Sequence, residues 1–140
     1  MTTALDTNVV IALWDKDTTL NQAAQAALER AFRRGDLVVA APVFAELMAA
    51  PGRSEAFVAS FLEDTAIAVD WDLDRAVWAA AGRAFQTYAE RRRKQRDSGA
   101  RRILADFLIG AHAQVRGYRL LTLDERLYRA AFPAVTIETI

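Results

Sequence analysis

Short apolar runs alternate along the chain with longer segments whose apolar residues recur at helical spacing. The run Leu37–Ala40 is apolar throughout, which is typical of a parallel strand covered on both faces. Between Thr18 and Arg34, in contrast, apolar residues recur every three or four positions, which predicts a helix. Applied to the whole sequence, the two patterns predict strands at 3–6, 37–40, 66–69, 119–122 and 135–140. They predict helices at 7–15, 18–34, 42–50, 54–64, 73–94, 102–116 and 125–131.

Glycine and proline support several of these boundaries. Gly35 follows the second helix and Gly117 follows the sixth, where a glycine commonly ends a helix. Pro42 opens the third helix at a position where its missing N–H is not needed. The polar segment Gln95–Ala100 is predicted to be a mobile loop. Alternating strands and helices predict one α/β domain over residues 1–140, with a small parallel sheet flanked by helices on both faces.

Composition restricts the class of protein more than its function. The formal net charge is +0, so the overall charge indicates no particular partner. Cysteine is absent, which excludes disulfides and thiolate metal sites and fits the cytoplasm. The N-terminus lacks the pattern of a signal peptide, and the longest apolar stretch, Leu37 to Ala50, is interrupted by Pro42 and Glu46. We therefore expect a cytoplasmic protein with no membrane segment.

Four acidic residues stand out because their neighbours in the sequence are apolar. Asp6 ends the first predicted strand and Asp124 follows the fourth, while Glu46 and Asp106 lie on predicted helices. Carboxylates rarely occupy such settings unless they are paired or bind a metal. The carboxyl ends of strands are also where ligands bind in open α/β sheets. We therefore predict that the four side chains form one site.

Each carboxylate also has a purely structural interpretation. Asp6 and Asp124 are suited to capping the helices that follow them. Asp106 has Arg101 and Arg102 nearby as possible ion-pair partners, and Glu46 is compatible with a solvated helix position. A shared site remains the better interpretation, because four such placements at one sheet edge rarely arise together.

Clustered carboxylates repel one another, and a divalent cation relieves that repulsion. Mg²⁺ and Mn²⁺ prefer oxygen ligands. Such a cation lowers the pKa of a water molecule and polarises a phosphoryl oxygen, which permits an in-line displacement at phosphorus without a serine nucleophile or a histidine base. The only histidine, His112, lies six residues after Asp106 and off its helix face, so we interpret it as a structural or surface residue.

Four sequence fragments together resemble the PIN-domain family, especially its small bacterial VapC-like toxins. The fragments are Leu5-Asp6-Thr7-Asn8-Val9, Ala45-Glu46-Leu47, Ala105-Asp106-Phe107-Leu108-Ile109-Gly110-Ala111 and Leu121-Thr122-Leu123-Asp124. Each fragment is weak alone, but the ordered set is fairly specific and extends over nearly the whole chain. The resemblance implies a metal-dependent endoribonuclease, the toxin of a toxin–antitoxin pair, whose antitoxin binds the nuclease and masks its site.

Carried over by position, the resemblance assigns roles to individual residues. Asp6, Glu46, Asp106 and Asp124 become catalytic carboxylates that bind Mg²⁺ or Mn²⁺. Asn8 and Thr122 become residues that support these ligands or contact phosphate. The predicted partners are an RNA substrate and a cognate antitoxin. Because so small a chain has predominantly apolar helices, we also expect a homodimer.

A basic segment precedes Asp106 and departs from the commoner pattern of the family. Its candidate RNA-binding residues are Arg91, Arg92, Arg93, Lys94, Arg96, Arg101 and Arg102. We predict that this segment leads an RNA backbone to the acidic site. The alternative is a solvated helix end that complements the helix dipole.

Other functions remain open on sequence alone. Asp6-Thr7-Asn8 faintly resembles a haloacid-dehalogenase phosphatase motif, but such an enzyme needs a second aspartate at Asn8 and a late lysine. The only lysines are Lys16 and Lys94, and neither lies late in the chain at a strand end. A non-catalytic partner-binding module is the other alternative, although it has little use for four repelling carboxylates. Three aromatic residues are interpreted as core packing or a dimer face: Trp71, Trp78 and Phe85.

Overall fold

The computed structural model describes residues 1–15, 18–95 and 102–140. The strands within these ranges are β1 (Thr3–Leu5), β2 (Leu37–Ala40), β3 (Ile67–Asp70), β4 (Arg119–Thr122) and β5 (Ile137–Thr139). The helices are α1 (Thr7–Trp14), α2 (Thr18–Arg34), α3 (Ala41–Met48), α4 (Glu55–Asp64), α5 (Arg75–Gln95), α6 (Leu104–Arg116) and α7 (Glu125–Ala131). All strands pair in parallel in the order β3-β2-β1-β4-β5, which confirms the predicted α/β class.

The strand order determines where a ligand site is expected. From β1 the chain moves outward through β2 to β3, and it then returns to the other side of β1 to form β4 and β5. Right-handed crossovers in opposite directions place helices on opposite faces of the sheet. The order therefore reverses between β1 and β4, and ligands bind at the carboxyl ends of the strands beside such a reversal.

Apolar burial holds the sheet between its helices. All four residues of β2 are buried, as expected for a parallel strand covered on both faces. Phe107 of α6, Tyr128 of α7 and Phe132 are among the largest fully buried side chains. Gly110 allows α6 to approach the Phe132 ring, because a Cβ atom at this position would lie 2.2 Å from that ring. None of the helices in the described ranges combines the length and apolarity needed to cross a membrane.

Several predicted boundaries were wrong by one or two residues, for local reasons. Strand β3 begins at Ile67 rather than 66, because Ala66 lies in a left-handed turn with φ 57°. Helix α5 begins at Arg75 rather than 73, since the Asp74 carboxylate accepts a hydrogen bond from the Val77 N–H. Helix α6 begins at Leu104 rather than 102, because the preceding residue is extended.

The ends of other strands and helices also differ from the prediction by one or two residues. Strand β1 ends at Leu5, α1 ends at Trp14, and β5 covers only Ile137–Thr139. Gln95 is the last residue of α5 instead of the first residue of a loop. The rest of that predicted loop, 96–100, lies outside the described residues.

Candidate functional site

Asp6 is the most buried carboxylate of the chain's predicted site. It follows β1, and its Oδ1 accepts a hydrogen bond of 2.8 Å from the Thr7 N–H, which caps α1. Its Oδ2 accepts a hydrogen bond of 2.7 Å from the Thr122 hydroxyl. The side chain is only 5% exposed. Burial raises the pKa of Asp6 to about 6, although these hydrogen bonds oppose the shift.

Thr122 connects Asp6 to Asp124 across the paired ends of β1 and β4. The Thr122 hydroxyl donates to Asp6, and its oxygen accepts a hydrogen bond of 2.9 Å from the Asp124 N–H. Nearby, the side-chain oxygen of Asn8 accepts a hydrogen bond of 3.1 Å from the Leu123 N–H. Asn8 and Thr122 therefore hold the turn after β4 against the start of α1.

Glu46 joins this edge of the sheet from α3. The Thr7 hydroxyl donates a 2.5 Å hydrogen bond to Glu46 Oε1, so adjacent residues of the chain orient two different carboxylates. Burial raises the pKa of Glu46, and the negative charge of Asp106 raises it further, while the Thr7 hydrogen bond opposes the shift.

The charge of Asp106 acts on two other carboxylates of the site. Asp106 is in the first turn of α6 and accepts a 3.3 Å hydrogen bond from the Ile103 N–H. Burial raises the pKa of Asp106, and the charge of Asp124 adds to that effect. The charge of Asp106 in turn raises the pKa values of Asp6 and Glu46. The four carboxylates thus lie within electrostatic range of one another through Asp106.

Arg102 pairs with Asp124, whereas the structural interpretation of Asp106 had Arg102 as the ion-pair partner of Asp106. Arg102 precedes α6 and donates a 2.6 Å hydrogen bond to Asp124 Oδ2, so its ion pair is with Asp124 and not with Asp106. Both side chains are about one-third exposed. Arg102 still lowers the pKa of Asp106 through its charge, which partly offsets the effect of burial. The proposed alternative partner Arg101 lies outside the described residues.

Tyr128 is a site residue that sequence reasoning missed. Its side chain is fully buried, and its hydroxyl lies beside Asp6, where hydrogen bonding lowers the pKa of that carboxyl. Burial, together with the charges of Asp6 and Asp106, raises the pKa of Tyr128, so the hydroxyl stays protonated beside the acidic residues. The available signal was its position four residues after Asp124, because residues i and i+4 share a helix face.

The donor atoms of this site suit Mg²⁺ or Mn²⁺. All four charged groups are carboxylates, and the hydroxyls of Thr7, Thr122 and Tyr128 lie among them. Hard divalent cations prefer such oxygen donors. The buried Tyr128 hydroxyl adds a further oxygen atom beside Asp6. The chemistry of the residues therefore fits the predicted metal.

The four carboxylates are farther apart than expected for ligands of a single metal ion. Within residues 1–15, 18–95 and 102–140, no three histidine, cysteine, aspartate or glutamate side chains are close enough to hold one metal ion. The hydrogen bonds explain this spacing, since Thr122, Thr7 and Arg102 each direct a different carboxylate. The structure thus brings the four residues to one sheet edge, and their role as metal ligands stays a prediction.

The predicted basic segment divides between two surfaces. Arg91 and Arg102 line one cavity, whereas Arg92 and Arg93 line a second one beside Phe85. Lys94 is exposed near the end of α5. Arg96 and Arg101 lie outside the described residues. Only part of the segment therefore borders the acidic residues.

His112 occupies a separate polar cluster in the interior. Its ring is fully buried, and Nε2 lies 3.0 Å from Asp70 Oδ2. Arg116 donates a 3.3 Å hydrogen bond to the same oxygen. Burial lowers the pKa of His112, although Asp70 opposes the shift. This placement agrees with the structural interpretation of His112 and contradicts the surface one.

The aromatic residues highlighted by the sequence have different environments. The ring of Phe85 stacks on that of Phe107 with centroids 4.8 Å apart, so Phe85 packs against the core. Trp71 is 63% exposed and touches Phe44, and Trp78 is 49% exposed. The assignment of Trp71 and Trp78 to a dimer face stays a prediction.

A comparison with known protein families identifies the family of this chain. The family model for the PIN domain matches residues 3–133. The chain belongs to the PIN-domain family. That match includes all four acidic residues of this PIN domain together with Asn8 and Thr122. No curated protein sequence matches the chain.

Solved structures of VapBC and FitAB proteins share the fold of this chain. VapBC2 from Rickettsia felis, bound to a DNA fragment from its promoter, is 17% identical with a TM-score of 0.72, and the match covers 99% of this chain and 98% of that one. VapBC-1 from nontypeable Haemophilus influenzae is 18% identical with a TM-score of 0.69, covering 99% and 98%. FitAcB from Neisseria gonorrhoeae is 22% identical with a TM-score of 0.65, covering 96% and 95%. At these identities the likeness concerns the fold.

Proposed function

We propose that this PIN domain is a divalent-metal-dependent endoribonuclease and the toxin of a toxin–antitoxin pair. The observation that carries the proposal is the hydrogen-bonded set of carboxylates at the reversal of strand order. Asp6 and Asp124 are joined through Thr122, Glu46 is joined to the start of α1 through Thr7, and Asp106 acts on both sides through its charge. Carboxylates held in this way repel one another and raise one another's pKa values. A divalent cation relieves that repulsion, so the arrangement suits a cation-binding site.

The site would hold Mg²⁺ or Mn²⁺ through Asp6, Glu46, Asp106 and Asp124. A bound divalent cation lowers the pKa of a water molecule and polarises a phosphoryl oxygen, which is the chemistry that phosphodiester hydrolysis requires. Binding requires the carboxylates to be deprotonated, and the hydrogen bonds from Thr7 and Thr122 favour that state.

The remaining residues of the site position these groups. Thr122 fixes the carboxylate of Asp6, and Asn8 fixes the turn that carries Asp124. Tyr128 is buried beside these groups and, being protonated, presents a hydroxyl donor toward Asp6. Arg102 forms an ion pair with Asp124. A cation bound to Asp124 would release Arg102, whose guanidinium group is then suited to binding an RNA phosphate at the site.

The proposed partners follow from the same site and from the similar structures. One structure that shares this fold is a toxin–antitoxin complex from Klebsiella pneumoniae. We propose that a cognate antitoxin masks this site with a basic side chain, as Arg102 already contacts Asp124 within the chain. We also propose a homodimer and a cytoplasmic location. The homodimer is tested by light scattering at about 100 µM, where a monomer would contradict it.

Induced expression in a bacterium tests the proposed activity in cells. Wild type should arrest growth and produce new 5′ ends in mapped cellular RNA, whereas Asp6→Asn should do neither. Asp36→Asn is the matched control, because Asp36 is exposed and lies before β2, away from the acidic residues. Equal RNA cleavage by wild type and Asp6→Asn would contradict the proposal, as would an antitoxin complex that remains fully active.

A further inference from the structure

A groove with an apolar floor runs between α5, α6 and α7, and we call it the arginine groove. Its volume is about 680 Å³, which lies within the usual range of ligand pockets. Small side chains create the space, since Ala80 and Ala84 of α5 face Ala130 of α7 across it. Phe107, which is buried, contributes to the floor.

Among the described residues, the rim of the arginine groove carries only positive charge. Arg83 and Arg91 of α5, Arg102 before α6 and Arg126 of α7 line it, and the described lining includes no acidic side chain. Arg83, Arg91 and Arg126 are exposed, and none of them forms an ion pair with another described residue. In a chain whose formal net charge is +0, this concentration of arginine favours an anionic ligand.

The spacing of the arginines suits a ligand with several negative charges. Arg83, Thr87 and Arg91 occupy every fourth position of α5, so they form one row along the helix. The first and last residues of the row are separated by about 12 Å along the helix axis, at 1.5 Å per residue. A single phosphate cannot span this separation, whereas successive phosphates of a nucleic-acid strand can.

One end of the arginine groove meets the acidic residues of the proposed site. Arg102 lines the groove and donates its 2.6 Å hydrogen bond to Asp124. The Tyr88 hydroxyl accepts a 2.8 Å hydrogen bond from the Arg102 N–H, which holds this segment against α5. Leu127 lines the groove as well, and it is adjacent in sequence to Tyr128. A strand in the groove therefore continues directly to the carboxylates.

We infer that the arginine groove binds the phosphates of a single-stranded RNA next to the phosphate that lies at the acidic site. This inference rests on the proposed ribonuclease function and identifies Arg83 and Arg126, on two different helices, as substrate-binding residues. Arginine binds phosphate with paired hydrogen bonds. Tyr88 lies beside the row with its ring packed against Phe85 and Phe107, so it fixes the wall of the groove along which the phosphates would lie.

Salt-dependent RNA binding tests the groove without requiring cleavage. The wild-type chain in EDTA is titrated against a fluorescein-labelled single-stranded RNA of about ten nucleotides at several salt concentrations. Each lost phosphate contact reduces the slope of log K against log salt by about 0.7, so Arg83→Gln/Arg126→Gln should reduce it by about 1.4. With the counterion contribution vanishing near 1 M salt, the same slope predicts about tenfold weaker binding at about 0.15 M.

The control variant removes two charges elsewhere. Arg30→Gln/Arg33→Gln changes exposed residues of α2, a helix that contributes no described residue to the groove lining, so its slope should remain that of wild type. Equal slopes for the two double variants would overturn the groove. A groove variant that loses self-association or antitoxin binding but keeps the wild-type slope would also overturn it, because the arginines would then belong to a protein interface.

Cleavage of the same RNA in Mg²⁺ or Mn²⁺ separates the groove from the proposed function. If wild type cleaves the RNA while the groove variant binds it with an unchanged slope, the groove is wrong and the ribonuclease function stands. If wild type cleaves no RNA while the groove variant still loses about tenfold in affinity, the groove stands and the ribonuclease function is wrong.

Discussion

Replacing Asp6 with asparagine should stabilise the metal-free protein at neutral pH. The native pKa of Asp6 is raised from 3.8 to about 6, because its 5% exposed side chain is costly to ionise. At 1.36 kcal/mol per pKa unit, this shift corresponds to about 3 kcal/mol of destabilisation above pH 6. Asparagine removes that charge but weakens the hydrogen bonds from Thr7 and Thr122, each of about 1 kcal/mol. We therefore expect a net gain of about 1–2 kcal/mol, or about 3–7 °C in Tm.

The sign of the pH dependence distinguishes this explanation from a general packing effect. Because the native state holds the Asp6 proton more tightly than the unfolded state, the contribution to stability is present below pH 4 and is lost as the pH rises through 6. The advantage of Asp6→Asn should therefore vanish below about pH 4, grow between about pH 4 and 6, and stay constant above pH 6. Thermal melts in EDTA between pH 4 and 8 measure it, with the exposed Asp36→Asn as control. A variant that is less stable than wild type at pH 8, or a difference that is constant across this range, would refute the reasoning.

Three further predictions concern α6 and the residue Arg102 that precedes it. Arg102→Gln should free Asp124 and increase Mn²⁺ affinity about two- to fivefold in a calorimetric titration, since a partly exposed ion pair contributes up to about 1 kcal/mol; unchanged affinity would mean that the pair does not compete with metal. Gly110→Ala should lower the free energy of unfolding by about 1–3 kcal/mol in a urea titration, because the added methyl group overpacks against Phe132. Gly82→Ala, whose Cβ meets open space, should raise the free energy of unfolding by about 0.5–1 kcal/mol. Equal effects of the two substitutions would contradict the packing of α6. The single His112 should titrate by NMR with a pKa below 6.5 because it is buried, and a midpoint at or above 6.5 would contradict that environment.

Local patterns in the sequence were sufficient to predict the fold and to find the acidic residues. The buried parallel strand β2 is apolar at every position, so it was recognisable without any knowledge of its neighbours. Asp6, Glu46 and Asp106 were noticeable because a charged residue among apolar ones needs a partner. In each case the evidence lies within a few residues of the chain, which is the range that sequence patterns cover.

Features that depend on distant contacts were not predictable in the same way. Pairing with Asp106 on the same helix was the structural alternative for Arg102, yet Arg102 pairs with Asp124, 22 residues later, because α6 begins after it. Tyr128 appeared as one more apolar residue of α7, and only the fold places its hydroxyl beside Asp6. Arg126 has no unusual sequence context, since its significance comes from a groove built by three separate helices.

RNA cleavage by purified protein tests the central proposal most directly. Wild type, Asp106→Asn and the control Asp36→Asn are incubated with one RNA in Mg²⁺, in Mn²⁺ and in EDTA, after circular dichroism has established that all three are folded. We predict cleavage by wild type and Asp36→Asn only when a divalent metal is present, and a loss of at least about 100-fold for Asp106→Asn, the effect of removing one strong electrostatic contribution to catalysis. Cleavage by Asp106→Asn at the wild-type rate, or cleavage by wild type in EDTA, would contradict a metal-dependent ribonuclease built on these carboxylates.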